Sequence, residues 1–274
     1  MNRSNLVTIM RVSLGAVLLF ATEAFSAAQV NAPPIGIARM PDSTVRMLAG
    51  LPENIVLDSR TFGSFDAASF SDQAGLVAKN GKILLVKTDF TVVGQCETAE
   101  PEPVLNVDGD STSAIAWLPG SQSILHWNGR SFSSEAVSGL SASLKVSSLR
   151  MRGSGAVQLL LTDPDGSVFE AEISLESGNL TSLKSLPGIR GPAFWQGALI
   201  VFYGANGLEA VGPTGVAHTI AIGARDLTFD RISSKWVLLT SPSAGRMWAL
   251  HMNGEDIHLS EVPASAANMR EVTK

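Results

Sequence analysis

Residues 157–173 read VQLLLTDPDGSVFEAEI, and this stretch decides the fold. Val157–Leu161 is a run of strand length, apolar but for Gln158, and Phe169–Ile173 alternates apolar with polar residues. Between them stand Asp163, Pro164, Asp165 and Gly166. Such residues turn a chain sharply, because proline presets φ and Asp and Gly tolerate the positive φ of tight hairpins. The stretch therefore predicts an antiparallel hairpin. Working outward, Ser148–Arg152 and Asn179–Leu183 add a strand on either side, which makes a four-stranded unit.

The same unit recurs along the chain. Short β-rich runs appear at Gly75–Ala78, Ile83–Lys87, Ala198–Tyr203 and Trp236–Thr240. Turn pairs stand at Asn80–Gly81, Asn128–Gly129, Asp165–Gly166, Asn206–Gly207 and Ala244–Gly245, with their glycines 48, 37, 41 and 38 residues apart. A sixth turn at Asp42–Ser43 lies 38 residues before Gly81. A second marker keeps step, since Phe70, Trp117, Met151, Trp195 and Phe229 precede their turn glycines by 11, 12, 15, 12 and 16 residues. That period is the length of a propeller blade. No long 3.6-residue amphipathic period occurs between residues 35 and 262, so helix is at most a minor component.

A twisted four-stranded sheet buries both faces only against neighbouring sheets, so such units stack radially and the ring closes. The fold class is thus all-β, a β-propeller of four-stranded antiparallel blades, six in number, with a five-bladed ring as the alternative. The first blade shows strand-like runs only from Ile35 onward and lacks a clear innermost strand. Pairing between the N- and C-terminal segments is expected to close the ring, with residues 263–274 as donor of that strand. The Thr162–Ser167 turn and the aromatic-marked units resemble the divergent propeller repeats of exported bacterial proteins, over residues 35–262. What the resemblance implies is a scaffold, and propellers host binding modules, hydrolases and lyases alike.

The N-terminus has the form of a cleavable signal peptide. Arg3 and Arg11 precede an apolar stretch from Val12 to Ala21, and Glu23 ends it. A bilayer span takes about 20 apolar residues, more than this run supplies. Small residues follow at cleavage spacing, Ala24 and Ser26 or Ser26 and Ala28. Residues 1–28 are therefore assigned to the signal and 29–274 to a single propeller domain. The expected location is the periplasm or the exterior of a bacterial cell, with no stable membrane span after cleavage.

Removing Arg3, Arg11 and Glu23 moves the formal net charge from −5 to −6, which disfavours nucleic acid as a partner. The lone Cys96 rules out intramolecular disulfides and reads as a small buried apolar residue. No Gly-x-Ser-x-Gly elbow, His-Glu-x-x-His or cysteine pair occurs, and no cofactor is expected. His251 and His258 lie on two arms of one hairpin and read as ordinary strand residues, and the five tryptophans read mainly as inter-blade filling.

In antiparallel blades, with strands named a to d from the inside outward, the b–c turns and the d–a connections emerge at one end of the ring. The candidate ligand-binding residues are assigned to that face: Asp66, Asp108, Asp110, Arg130, Asp163, Arg190, Arg225 and Arg246. The expected function is a monomeric, non-enzymatic scaffold for a protein, glycan or small ligand. An enzyme whose site is assembled from several blades is the alternative, and a central funnel lined by His, carboxylate or Arg would favour it.

Overall fold

The structure is a computed structural model that describes residues 32–108, 113–215, 217–254 and 256–263. The expected signal segment, residues 1–28, lies outside the described residues. Among these residues twenty-three strands form six antiparallel sheets, each built from strands consecutive in sequence. Blade 1 comprises β1 (Pro34–Arg39), β2 (Thr44–Leu51) and β3 (Asn54–Ser64), and blade 2 comprises β4 (Ala67–Phe70), β5 (Ala74–Lys79), β6 (Lys82–Lys87) and β7 (Val92–Glu97). Blade 3 follows as β8 (Val104–Val107), β9 (Ala114–Leu118), β10 (Ser123–Trp127) and β11 (Phe132–Ala136). Blade 4 is β12 (Lys145–Arg152), β13 (Ala156–Thr162), β14 (Ser167–Ser174) and β15 (Leu180–Arg190). Blade 5 is β16 (Ala193–Gln196), β17 (Leu199–Gly204), β18 (Gly207–Val211) and β19 (Ala217–Ile220). Blade 6 is β20 (Thr228–Arg231), β21 (Trp236–Ser241), β22 (Arg246–Asn253) and β23 (Asp256–Val262).

The protein is a six-bladed β-propeller. Strands β4, β8, β12 and β16 touch in succession and β20 touches β4, which makes these the innermost strands. Burial falls from the second strand outward. Strands β5, β9, β13 and β21 are buried along nearly their whole length, whereas the outer strands β7 and β15 are largely exposed. The period-2 alternation of strand side chains serves both faces of a blade. Leu159 and Leu161 pack with Ile115, Trp117 and Ile124 of blade 3, while the intervening Leu160 packs with Trp195 and Phe202 of blade 5. No helix among the described residues is long and apolar enough to cross a membrane.

Blade 1 departs from the others. A Cβ on Gly36 would meet the Ile232 carbonyl oxygen at 2.7 Å, so β1 begins beside the end of β20. It ends at Arg39, whose Nε donates to Phe65 O at 2.8 Å, just before β4 starts. Strand β1 therefore runs opposite to the inner strands and has the direction of a second strand. Among the described residues blade 1 thus holds strands b, c and d and no strand a, the strand that the sequence also leaves undefined.

Closure is achieved by packing. Ile35, Leu48 and Leu57 of blade 1 share a core with Trp236, Leu238 and Val262 of blade 6. On its other face Ile37 and Val45 meet Phe70 and Val77 of blade 2. Ser234 N donates to Asp72 Oδ1 at 3.2 Å, which ties blade 6 directly to blade 2 at one end of the ring. No strand ladder joins the N- and C-terminal blades among the described residues. Residues 264–274, most of the expected donor segment, lie outside the described residues.

The register of blade 3 corrects the sequence reading. Asn128–Gly129 joins β10 to β11 and is a c–d turn, while the b–c turn is Pro119–Gln122. Glu100 accepts from Gly120 N at 2.7 Å and Ser121 N at 2.8 Å, and Gln122 takes the positive φ of 47°. Asparagine and glycine adopt that conformation more readily than glutamine, so the stronger sequence signal fell one strand late. Trp117, on β9, slipped with it.

Each buried leucine contributes about 1.5–3 kcal/mol, and the blade 1 seam depends on such burial. Leu48→Ala is expected to lower the unfolding free energy by about 2–5 kcal/mol in urea titrations. Val92→Ala, on the exposed outer edge of blade 2, should change it by less than about 0.5 kcal/mol.

Candidate functional site at the channel mouth

The inner strands run in one direction, so the ring has two distinct ends. Asp66, Asp163, Arg190, Arg225 and Arg246 lie at the end with the b–c turns and d–a connections. Asp108 directly follows inner strand β8, and Arg130 sits in the c–d turn of blade 3. Those two therefore stand at the opposite end, where the single-face assignment did not put them. Asp110 lies outside the described residues. Several of the first group brace their own turns: Asp66 accepts from Asn80 N at 3.1 Å, and Asp163 accepts from Ser167 N at 2.8 Å. Arg190 donates to Asp165 O at 3.3 Å, and Arg246 Nε pairs with Glu261 at 2.8 Å. Arg225 is exposed.

A wide concavity opens at the other end. A cavity of about 860 Å³ is walled by Ser71, Asp108, Arg150, Gly197 and Ser234, one from each of blades 2 to 6. Each belongs to the end of an inner strand or the turn that follows it. Arg231, the last residue of β20, crosses its floor. Its Nη1 donates to Asp108 Oδ1 at 2.7 Å and to Val107 O at 3.4 Å, both on blade 3. Its Nη2 donates to Trp195 O of blade 5 at 3.1 Å. One guanidinium so ties three blades across the channel.

Arg150 forms the wall beside it. The guanidinium lies over the Trp195 ring at 3.4 Å from the centroid, Nε donates to Gln158 Oε1 at 2.8 Å, and Nη1 donates to Gly197 O at 2.9 Å. Partial burial lowers its pKa, and Glu170 and Asp108 oppose that. A guanidinium in such a setting keeps its charge at neutral pH. With Arg152, which pairs with Glu172, the lining carries three arginines against the carboxylates Asp108 and Glu170.

Behind Arg231 lies a smaller cavity of about 180 Å³, lined by Arg39, Asp66, Ser69, Asn106 and Asp230, and by Arg231 itself. Burial pushes the Asp230 carboxyl up to about 6, against a downward pull from Arg39. None of these residues belongs to a local motif. Each blade supplies one or two, and the signal exists only once the ring is closed.

The remaining candidates are structural. His251 and His258 face each other across β22 and β23 with centroids 6.5 Å apart, yet no group of three metal-ligating side chains assembles among the described residues. Trp117, Trp195, Trp236 and Trp248 are buried. Trp127 packs against Gly94, where a Cβ would come within 2.4 Å of the indole. Burial, followed by Glu97, raises the Cys96 thiol and so disfavours a reactive thiolate.

No protein-family model matches this chain, and no curated protein does. Solved structures of similar shape include hydrazine synthase from Kuenenia stuttgartiensis, at 12% identity over 83% of this chain and 80% of that one, with a TM-score of 0.45. Apo AztD from Citrobacter koseri shares 12% identity over 86% of this chain and 72% of its own, with a TM-score of 0.44. Virginiamycin B lyase from Staphylococcus aureus shares 10% over 88% and 87%, also with a TM-score of 0.44. The propeller assignment rests on the strand order, and these likenesses add nothing about chemistry.

The Asp230 shift fixes a sign. Its folded pKa of about 6 stands above the ordinary 3.8, so the folded state binds more protons in that window and stability falls as pH rises through it. In ligand-free buffer Asp230→Asn is expected to exceed the wild type by about 1–3 kcal/mol above about pH 6. That advantage should vanish below about pH 4 in thermal unfolding followed across pH.

Proposed function

We propose that the protein is an exported binding propeller that takes a small anionic ligand at the arginine-lined mouth of its channel. The observation that carries this reading is the fixed Arg150 guanidinium, stacked on Trp195 at 3.4 Å and held by two further hydrogen bonds beside Arg231. A guanidinium so immobilised meets a carboxylate, phosphate or sulfate with little ordering cost, which is the advantage of preorganisation. The lining gathers Arg150, Arg152 and Arg231 although the chain as a whole is acidic. Export is supported by the Arg3 to Ala28 pattern, and it would place the site in the periplasm or outside the cell.

The hydrolase or lyase alternative draws on the convergence of arginines and carboxylates in the mouth. Asp108, however, is tied to Arg231 at 2.7 Å, and Asp230 lies in the cavity behind that guanidinium. Asp108 and Glu170 both line the mouth, and the engagement of Asp108 by Arg231 supports binding over turnover.

The test is a thermal-shift panel of small carboxylates, phosphates, sulfated sugars and uncharged sugars, followed by titration of the compounds that stabilise the protein. Anionic compounds are expected to bind, and Arg150→Ala should weaken them by about 1.5–3 kcal/mol, roughly 10- to 150-fold. Added salt should weaken them further. Equal binding of uncharged sugars to both proteins would overturn the anion reading, and chemical conversion of a bound compound would establish the enzyme.

A further inference from the structure

The cavity behind Arg231 has a chemistry of its own. Its volume of about 180 Å³ suits a few heavy atoms, since one water takes about 30 Å³. Ser69, Asn106 and Arg231 line it, and Ser69 Oγ, Asn106 Nδ2 and Arg231 Nε, all buried, have no hydrogen-bond partner. These residues are only 2%, 3% and 8% exposed, respectively. Unpaired polar atoms at such depth are costly, and their grouping on three different blades in one cavity calls for a common partner. An amide nitrogen and a guanidinium nitrogen can only donate, and a hydroxyl can do so too. The set therefore asks for an acceptor.

The charged groups around the cavity narrow the class. Arg39 faces it from β1, Asp66 from the link between β3 and β4, and Asp230 and Arg231 from β20. We propose that this cavity binds a small monocarboxylate anion, whose oxygens accept from Ser69 Oγ, Asn106 Nδ2 and Arg231 Nε while Asp230 takes up one proton from solvent. Protonation removes the repulsion between the two carboxyl groups and turns Asp230 into a further donor. Its carboxyl, already raised to about 6 by burial, needs little more to hold that proton near neutrality. The site is separate from the one at the mouth, because Ser69, Asn106 and Asp230 line only the inner cavity and Arg231 alone is shared.

Sodium formate is the probe, titrated calorimetrically into the full chain in buffers of differing ionisation enthalpy. Formate is expected to bind with uptake of about one proton, and its affinity should fall about tenfold per pH unit above about pH 6. Asp230→Asn should keep binding and lose the pH dependence, because the amide donates at every pH. Ser69→Ala and Asn106→Leu should each weaken formate about tenfold, with cooperative melting confirming that both variants fold. Sodium chloride run in parallel separates an anion site from a cation site. Heat from sodium chloride that grows as pH rises would overturn the proposal in favour of a cation. Absence of formate binding, or binding unaltered by all three substitutions, would show a merely hydrated channel and overturn it equally.

Discussion

A sheet whose second strand is apolar on both faces cannot stand alone in water. Strands β5, β9, β13 and β21 each carry that demand, and only another sheet on either side meets it. The ring, the channel and the convergence of inner-strand ends all follow from this single requirement. Blade 1 shows how strong it is. With no inner strand among the described residues it is still packed on both faces, by blade 6 through Leu238 and by blade 2 through Phe70. The requirement is for covered faces, and a regular strand count is secondary to it.

Arg231 turns this packing into a site. Its bonds to Asp108, Val107 and Trp195 run across the channel and divide it into a wide outer cup and a narrow inner chamber. At that depth Asp108 and two carbonyls partner its two terminal nitrogens. The same group faces both compartments, so the scaffold and the recognition surface share one residue.

The fold was legible where burial writes a pattern into the sequence. Val157–Leu161 and Trp236–Thr240 are apolar but for Gln158 and Thr240 because they occupy second strands, and Asp165–Gly166 is a turn whose residues name their own backbone conformation. Outer strands such as β15 are exposed and carry little periodic signal. Blade 3 was misread because its true turn depends on Glu100, twenty residues before Gly120, capping the backbone from a distance. The site was illegible for a related reason. Asp108 was named from the sequence but assigned to the wrong end of the ring, and nothing near Arg150 or Arg231 in sequence distinguishes a channel-lining arginine from a solvated one. Charged turn residues such as Arg190 and Arg246 were the visible candidates, and they turn out to brace turns or outer strands.

The seam between blades 1 and 6 has a kinetic consequence. Every other pair of neighbouring blades is joined by a short stretch of chain, but this pair meets from the two ends of the domain, Ile35 against Val262. Bringing such distant segments together costs about 5 kcal/mol of loop-closure entropy before any contact repays it. Blades can form from local hairpins well before that cost is met, so the ring is completed late, after its parts exist. Contacts that arise after the folding barrier govern how slowly a protein opens and leave the speed of assembly unchanged. If the seam forms after that barrier, it acts as the clasp on the lifetime of the closed ring.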